Sequence, residues 1–182
     1  MDPLPFDELN KLKATLPAFA DADGKLKDMD PLLDMLEDLF LLAYASGVES
    51  TNLSLGASWE PSLTDILDTV DREIAGKTWR QRVREYYDNG GTVDDIARIA
   101  ETETHRDANA GAYDAARAGG ATRKTWNTML DDRVRDSHQY LEGVSAPIDG
   151  VFYAWYGAST LYPGQWGIAE EDVNCRCWLT YS

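Results

Sequence analysis

Apolar residues recur at helical spacing early in the chain, and the pattern is densest over residues 31–46. Asp30 and Pro31 place a capping acceptor and then a proline where the first turn of a helix favours them. The apolar positions that follow are Leu32, Met35, Leu36, Leu39, Phe40 and Ala43. This spacing predicts a helix over residues 31–46 that ends near Gly47, followed by a polar loop over residues 46–58. Because the helix is apolar on most sides, we expect it to lie at the centre of a bundle or to contact a partner.

Two shorter helices are predicted next from start signals and periodicity. Pro61 begins the first, and Gly76 is expected to end it. Its apolar face consists of Leu63, Ile66, Leu67, Val70 and Ile74. Thr78 and Gln81 then form a capping-box pattern, in which each side chain bonds the backbone N–H of the other residue. This pattern predicts the start of a second helix, which carries Trp79, Val83 and Tyr86.

The longest predicted helix begins at a second capping box, formed by Thr92 and Asp95, and runs to about Ala118. Gly119 and Gly120 end it. The stripe expected to face inward is made mostly of small residues: Val93, Ile96, Ala100, Thr104, Ala108, Ala112 and Ala115. Small side chains of this kind allow another element to pack closely against the helix.

The pattern changes after residue 120, where short segments rich in β-branched and aromatic residues predict strands. The two clearest strands cover residues 124–129 and 177–181, and residues 151–156 are a weaker third candidate. Glycine and proline residues separate these segments. We therefore predict an α+β fold with a helical N-terminal region and a long helix packed on a small antiparallel sheet at the C-terminus.

The charge of the chain argues against nucleic-acid binding. The net charge is -15, with 16 acidic and 6 basic side chains in residues 1–77 and 16 acidic and 11 basic in residues 78–182. Binding to DNA phosphates needs a basic surface, so we expect no duplex DNA binding by this chain alone. We also expect no membrane span, because no apolar run is long enough. Met1-Asp2-Pro3 has no secretory signal character, which predicts synthesis in the cytoplasm.

Three polar segments in residues 92–182 stand out as candidate chemistry. The first lies on the predicted long helix, at residues 99–104 and 109–111. The second begins at Trp126, continues over residues 131–138 and closes at Gly143. The third comprises residues 162–164, Glu170 and residues 174–177.

Taken in order and spacing, these segments resemble the Mu F-like phage minor head protein family over roughly residues 72–181. That family typically shows a helix reading Ala-Arg-Thr-Glu, then a Trp, an Asp-x-Arg-x-Arg-x-x-His segment with a nearby Gly, and finally Asn-Cys-Arg-Cys. The matching positions here are Glu103, Trp126, Asp131, Arg133, Arg135, His138, Gly143, Asn174, Cys175, Arg176 and Cys177. Glu101 stands where the family has its first arginine, so no role of that arginine is carried over.

The resemblance divides the chain into two predicted regions. Residues 72–182 form the Mu F-like domain, and residues 1–71 form a helical, acidic extension that serves as a docking region. Within that extension we expect Leu36 and Phe40 to contact the partner, because the helix has more apolar surface than one core face needs.

The arginines of the second segment admit two interpretations. If residues 131–135 are extended, Arg133 and Arg135 point the same way, together with Asp131 and with Glu103 on the helix behind. The favoured interpretation is a structural ion network, because arginine forms bidentate pairs with carboxylates. The alternative is an arginine pair that binds phosphate or a carboxylate of a partner.

Cys175, Cys177 and His138 raise the question of a metal or a catalytic site. A zinc ion takes four ligands in a tetrahedral array, and these residues offer three, with Asp131 or Asp136 as a fourth. The alternative is that both cysteines are small buried apolar groups and His138 bonds a carboxylate. A nucleophilic cysteine with His138 as its base is the least favoured interpretation, because no glycine-rich oxyanion turn lies beside Cys175.

The family resemblance implies an assembly protein rather than an enzyme. Such proteins are minor components of the phage prohead, bind the portal or capsid protein at the DNA-packaging vertex, and in some phages leave with the DNA. The expected location is the virion, after assembly in the host cytoplasm. The alternatives are a delivered effector related to toxins, and an interaction module stabilised by a metal.

Overall fold

The computed structural model describes residues 6–182, so the prediction made from Met1-Asp2-Pro3 lies outside the described residues. The helices are α1 Phe6–Thr15, α2 Met29–Leu55, α3 Leu63–Val70, α4 Trp79–Asp88, α5 Val93–Ala118, α6 Asp136–Gln139 and α7 Ala169–Asp172, with a 3-10 turn at Leu16–Phe19. The strands are β1 Arg123–Asn127, β2 Ser145–Pro147, β3 Phe152–Tyr153, β4 Ser159–Thr160 and β5 Trp178–Tyr181. The α+β class is therefore confirmed. None of the helices in residues 6–182 is long and apolar enough to cross a bilayer.

Helix α2 is longer than its sequence predicts, and it continues for two turns beyond Gly47. The expected end at Gly47 and the expected loop over residues 46–58 are both wrong. The helix ends instead at Gly56, whose φ of 64° is the left-handed conformation that glycine adopts readily. Pro31 lies in the first turn, where a backbone N–H has no intrahelical partner to lose.

Gly47 lies inside α2 because the helix touches α5 there. A methyl group at Gly47 would overlap the carbonyl oxygen of Ala108, and one at Gly111 would overlap the carbonyl oxygen of Tyr44. The two backbones are therefore in direct contact at two neighbouring points. The small residues predicted on the long helix serve this close packing.

The capping boxes define the starts of the next helices as predicted. The Thr78 N–H donates to Gln81 Oε1 at 2.8 Å, and the Thr92 N–H donates to Asp95 Oδ2 at 2.9 Å. A further capping box, between Ser62 and Asp65, begins α3 at Leu63, two residues after the proline expected to open it. Helix α3 ends at Val70 rather than at Gly76.

The sheet contains the two strands that the sequence predicts best. β1 lies between β2 and β5, and both neighbours are antiparallel to it, with Trp126 opposite Leu179. The weak candidate at residues 151–156 is only partly a strand. Its β3 pairs with β4 in a separate hairpin, and the third strand of the main sheet is β2, which the sequence analysis did not predict.

One hydrophobic core runs through the described part of the chain. It extends from Leu9 on α1 to Leu179 on β5, so the boundary drawn between residues 71 and 72 falls inside a continuous core. Leu36 and Phe40 are both 0% exposed within that core. The prediction that these two residues contact a partner is therefore wrong. The apolar residues around α2 pack against α1, α3, α4 and α5.

Lys124 is the most unusual member of the core, because its side chain is fully buried on β1. Its Nζ has no hydrogen-bond partner among residues 6–182 and lies 4.6 Å from the centre of the Tyr113 ring. Burial lowers the pKa of Lys124 to about 8, against a weaker opposing effect of Asp149.

We predict that Gly111→Ala destabilises the protein, because the added methyl group has no space against Tyr44. Overpacking of this kind costs about 3 kcal/mol, more than the roughly 1 kcal/mol that alanine gains in helix propensity. Urea unfolding measures the difference. Glu49→Ala, on the exposed side of α2, is the control and should change the free energy of unfolding by less than about 0.5 kcal/mol. A Gly111→Ala protein that is more stable than its parent would contradict the close contact.

We predict that Lys124→Met raises the free energy of unfolding at pH 7 by about 2 kcal/mol, because it removes a buried charge. Between pH 8 and pH 10.5 the unfolded chain still holds the Lys124 proton while the folded chain has released it. The free energy of unfolding of the parent protein therefore rises with pH. As a result, the difference in free energy of unfolding between the parent and Lys124→Met becomes smaller. Denaturation across this pH range tests both statements. Arg123→Met, at an exposed neighbouring position, is the control, and its difference from the parent should not change with pH. If the difference between Lys124→Met and the parent also stayed constant with pH, the lowered pKa of Lys124 would be contradicted.

Candidate functional site

The loop over residues 131–138 packs directly beside residues 174–177, as the family resemblance requires. Arg176 donates two hydrogen bonds to Asp131, at 2.8 and 2.6 Å, in the bidentate geometry that fixes a guanidinium against a carboxylate. Hydrogen bonding from Arg176 lowers the pKa of Asp131 to about 2, against a small effect of burial. The region therefore contains an ion pair, but it joins Asp131 to Arg176, which was not among the residues of the predicted network.

Arg133 and Arg135 do not lie on one extended strand-like segment, so the basis for predicting that they point the same way is wrong. Residues 131–134 form a turn rather than an extended segment, so the alternation on which the prediction rested does not apply. Arg133 is exposed and lies 3.4 Å from Asp131, whereas Arg135 precedes α6 and donates to the carbonyl oxygen of Val173. Both side chains nevertheless line one small cavity together with Arg176, so the alternative of an arginine pair that binds phosphate stays a prediction.

Glu103 lies in a different place from the one predicted. It is buried on α5, where it pairs with Arg82 of α4 and lies 2.9 Å from Arg106. Arg106 also donates to the carbonyl oxygen of Val70 at 2.6 Å and pairs with Asp107. This buried cluster fastens α5 to α4 and to the end of α3. Burial raises the pKa of Asp107 to about 8, against the lowering effect of Arg106.

His138 is the centre of the site. Its Nδ1 lies 3.6 Å from Cys175 Sγ and 3.5 Å from Cys177 Sγ, and all three residues are buried. The ring stacks on Trp166 at 5.7 Å between centres and meets the edge of Trp126 at 5.5 Å. Both cysteines and the histidine singled out in the sequence are thus brought together inside an aromatic shell.

Glu171 completes the histidine contacts from the other side of the ring. Its Oε2 lies 2.9 Å from His138 Nε2 and accepts from Ser137 Oγ, also at 2.9 Å. Its Oε1 accepts from the Tyr156 hydroxyl at 2.6 Å. Burial would raise the pKa of Glu171, but these hydrogen bonds, Tyr156 first, hold it below its usual value. The sequence motif includes its neighbour Glu170 instead, and that residue is exposed.

The two thiols hold their protons unequally. The pKa of Cys175 is well below its usual value, first because Cys177 hydrogen-bonds to its sulfur and then because His138 does, in spite of burial. The pKa of Cys177 is raised, because its thiol hydrogen-bonds to Cys175 and because it is buried. The close packing of the two sulfurs therefore shifts their pKa values in opposite directions.

The remaining motif residues hold this arrangement in place. Gly143 has a φ of 72°, and its N–H donates to the carbonyl oxygen of Trp126 at 2.9 Å. Asn174 also has a positive φ, of 57°, and its N–H donates to Thr102 on α5 at 3.2 Å. Asn109, further along the same helix, donates to the carbonyl oxygen of Cys177 at 3.0 Å. Helix α5 thus positions the last segment before β5.

The family model described as Phage Mu protein F like protein matches residues 64–180, which is more than half of the chain. The chain belongs to this family. The match includes the whole of the His138 site and the strands that carry it. The Mu F-like assignment, based on the three polar segments, is therefore confirmed.

Two relatives place this Mu F-like chain among larger proteins. It is 36% identical over 85 residues to "Minor head protein GP7" of Bacillus phage SPP1, a match that covers 45% of this chain and 28% of that protein. It is 29% identical over 146 residues to "NAD(+)--arginine ADP-ribosyltransferase EFV" of Enterococcus faecalis strain V583, covering 62% of this chain and 30% of that protein. The chain thus spans less than a third of either relative. No solved structure matches it.

We predict that Asp131→Asn loosens the turn over residues 131–135, because the neutral amide cannot pair bidentately with Arg176. Amide hydrogen exchange in this turn should accelerate roughly fivefold to tenfold at pH 7, a local effect rather than global unfolding. In the parent, Asp131 has a low pKa in the folded state. The stability that its contact with Arg176 gives to the turn is therefore present above about pH 4 and is lost as the pH falls toward 2.

Asp132→Asn is the matched control for this change, because Asp132 is the exposed neighbour in the same turn. It should leave hydrogen exchange unaltered. Equal acceleration in both variants would mean that the contact of Asp131 with Arg176 does not hold the turn.

Proposed function

We propose that this protein is a minor head protein of a tailed bacteriophage or prophage, which takes part in head morphogenesis by binding and not by catalysis. The observation that carries the proposal is the family match over residues 64–180, together with the packing of its motif residues into one site. A relative named as a minor head protein supports it. The corresponding location is the virion.

We propose the portal protein as the partner, with binding at the packaging vertex during prohead assembly. The candidate contact is the β3–β4 hairpin, where Trp155 is 76% and Tyr153 62% exposed. Leu130, 78% exposed, and Tyr140, 70% exposed, belong to the same family-matched region. Exposed aromatic residues are the side chains that most often dominate binding at protein interfaces. This hairpin replaces Leu36 and Phe40 as the proposed docking surface.

The site favours a structural role over a catalytic one. Cys175 and Cys177 are 4% and 3% exposed, and the adjacent cavity holds only about one water molecule. A substrate would have to come within bonding distance of a sulfur atom that is almost fully buried. The His138 cluster therefore serves to hold two segments together.

The charge of the described surface argues against DNA as the primary partner. Arg80 pairs with Glu37 and Asp71, and Arg82 pairs with Glu103, so these two arginines of α4 are neutralised locally. We therefore propose that any passage of this protein with DNA during ejection depends on its protein partners.

A second candidate is part of a delivered effector, which the similarity to a protein named as an arginine ADP-ribosyltransferase favours. Incubation of the purified chain with labelled NAD⁺ and an arginine-rich acceptor distinguishes the two. Label transferred to the acceptor would overturn the binding role. We expect none above background.

We predict that Trp155→Ser lowers incorporation into proheads by about thirtyfold, because loss of a central aromatic contact costs about 2 kcal/mol of binding. The measurement is the copy number per particle after co-expression with the portal, scaffold and major capsid proteins of the same phage. The side chain is exposed, so the thermal midpoint of the free protein should not change.

Leu53→Ser is the matched control, because Leu53 is 73% exposed on α2, outside the family-matched region. It should be incorporated as the parent is. Normal incorporation of Trp155→Ser would refute the hairpin contact. Equal copy number in particles assembled without the portal protein would assign the partner as the capsid protein.

A further inference from the structure

We propose that His138 Nδ1, Cys175 Sγ and Cys177 Sγ bind one zinc ion. These three ligand atoms lie within 4.8 Å of one another, and the residues are all buried. They come from two segments nearly forty positions apart in the sequence, α6 and the residues before β5. The proposal does not depend on the role in head assembly.

The distances between the ligand atoms match those of a tetrahedral zinc site. With Zn–S of about 2.3 Å and Zn–N of about 2.1 Å, a tetrahedral angle places sulfur and nitrogen about 3.6 Å apart. The observed separations from His138 Nδ1 are 3.6 Å to Cys175 and 3.5 Å to Cys177. These two separations therefore suit a tetrahedral site, and the two sulfurs lie within 4.8 Å of each other.

Glu171 provides a second, independent indication. Histidines that bind metals commonly donate their other ring N–H to a carboxylate, which fixes the tautomer and the orientation of the ring. Here the carboxylate oxygen lies 2.9 Å from Nε2, although the two atoms are not aligned as a hydrogen bond, and it is itself held by Ser137 and Tyr156. With the ring proton on Nε2, the lone pair of Nδ1 faces the two sulfurs.

Without a metal, one cysteine can donate to His138 while the other thiol donates to its neighbouring sulfur. One lone pair on Nδ1 accepts one S–H, so only one of the two cysteines can donate to it. A zinc ion instead contacts the lone pair and both sulfurs at once, and its charge offsets two thiolates. The Trp126 indole, buried with no hydrogen-bond partner among the oxygen and nitrogen atoms of the described residues, is then a donor to the Cys177 sulfur.

Water is the proposed fourth ligand. A cavity of about 10 Å³, lined by Arg133, Arg135, Arg176, His138 and Cys177, has room for about one water molecule. The carboxylates expected from the sequence are not available. Asp131 is engaged by Arg176, and Asp136 is exposed.

Asp172, the other nearby acid, is also occupied, because its oxygens accept hydrogen bonds from the backbone N–H groups of Trp166, Gly167 and Ile168.

The consequence of the ion is structural. It would connect α6 to the segment before β5, in a region where long loops separate short strands. A metal can supply stability that a small core does not.

The test begins with the metal content of the full chain, purified under reducing conditions without chelator. We expect about one zinc per chain. Cobalt added to the metal-free protein should give the visible bands of tetrahedral coordination and a thiolate-to-cobalt charge-transfer band. This spectrum is read on the parent protein, so it remains decisive if a cysteine variant fails to fold.

Matched variants then assign the ligands. Cys177→Ser and His138→Ala should lose the metal, and Glu171→Gln should weaken zinc binding by about tenfold to a hundredfold. Asp136→Asn, which alters the fourth ligand expected from the sequence, should keep the full metal content. Removal of zinc should accelerate hydrogen exchange by about tenfold or more over residues 131–141 and 173–179.

Three outcomes would overturn the proposal. The first is reduced protein that contains no zinc and gives no cobalt spectrum. The second is a Cys175–Cys177 disulfide that re-forms in the presence of metal. The third is full zinc content in the His138→Ala and Cys177→Ser variants, which would place the ion elsewhere.

Discussion

Helices α2 and α5 touch backbone to backbone where Gly47 faces Ala108 and Gly111 faces Tyr44. Most helix pairs are separated by their side chains, at interaxial distances of about 8–10 Å. Here two glycines remove that separation, so the position of one helix fixes the position of the other. All other contacts of α5 are made relative to this crossing.

The His138 site depends on the same helix. Thr102 and Asn109 of α5 bind the backbone of Asn174 and Cys177, and Glu103 and Arg106 bind α4 and the end of α3. A rotation of α5 about its axis would displace both sets of contacts. The position of Cys175 and Cys177 beside His138 therefore depends on the contacts that hold α5 against α3 and α4.

Local signals in the sequence were sufficient for part of this fold. The capping boxes at Thr78 and Thr92 involve residues three apart, and β1 and β5 have strong strand composition, so each could be recognised without tertiary contacts. Gly47 could not, because a glycine after an apolar helical run often marks a helix end, and only the contact with α5 explains its place inside α2. The three-residue strand β2 is too short to show a pattern.

For the site, sequence spacing identified the neighbours but not every contact. Cys175, Cys177 and His138 were correctly grouped through the family motif. Glu171 was missed because it stands beside Glu170, and only the direction of α7 distinguishes the two. Arg133 and Arg135 make different contacts because residues 131–134 form a turn. The alternation of side chains expected for a strand does not predict such a turn.

The α2–α5 crossing has a consequence for how this chain relates to longer proteins. The segment formed by α1 and α2 covers a face of α5 as a bound subunit would, but it is attached by the chain itself. Such a tether acts as a high effective concentration, of the order of millimolar for a short linker. The same face of α5, in a protein without this segment, would need a helix from elsewhere with glycine at the crossing point. The face of α5 at Ala108 and Gly111 can therefore be covered only by a helix whose backbone comes into direct contact with it.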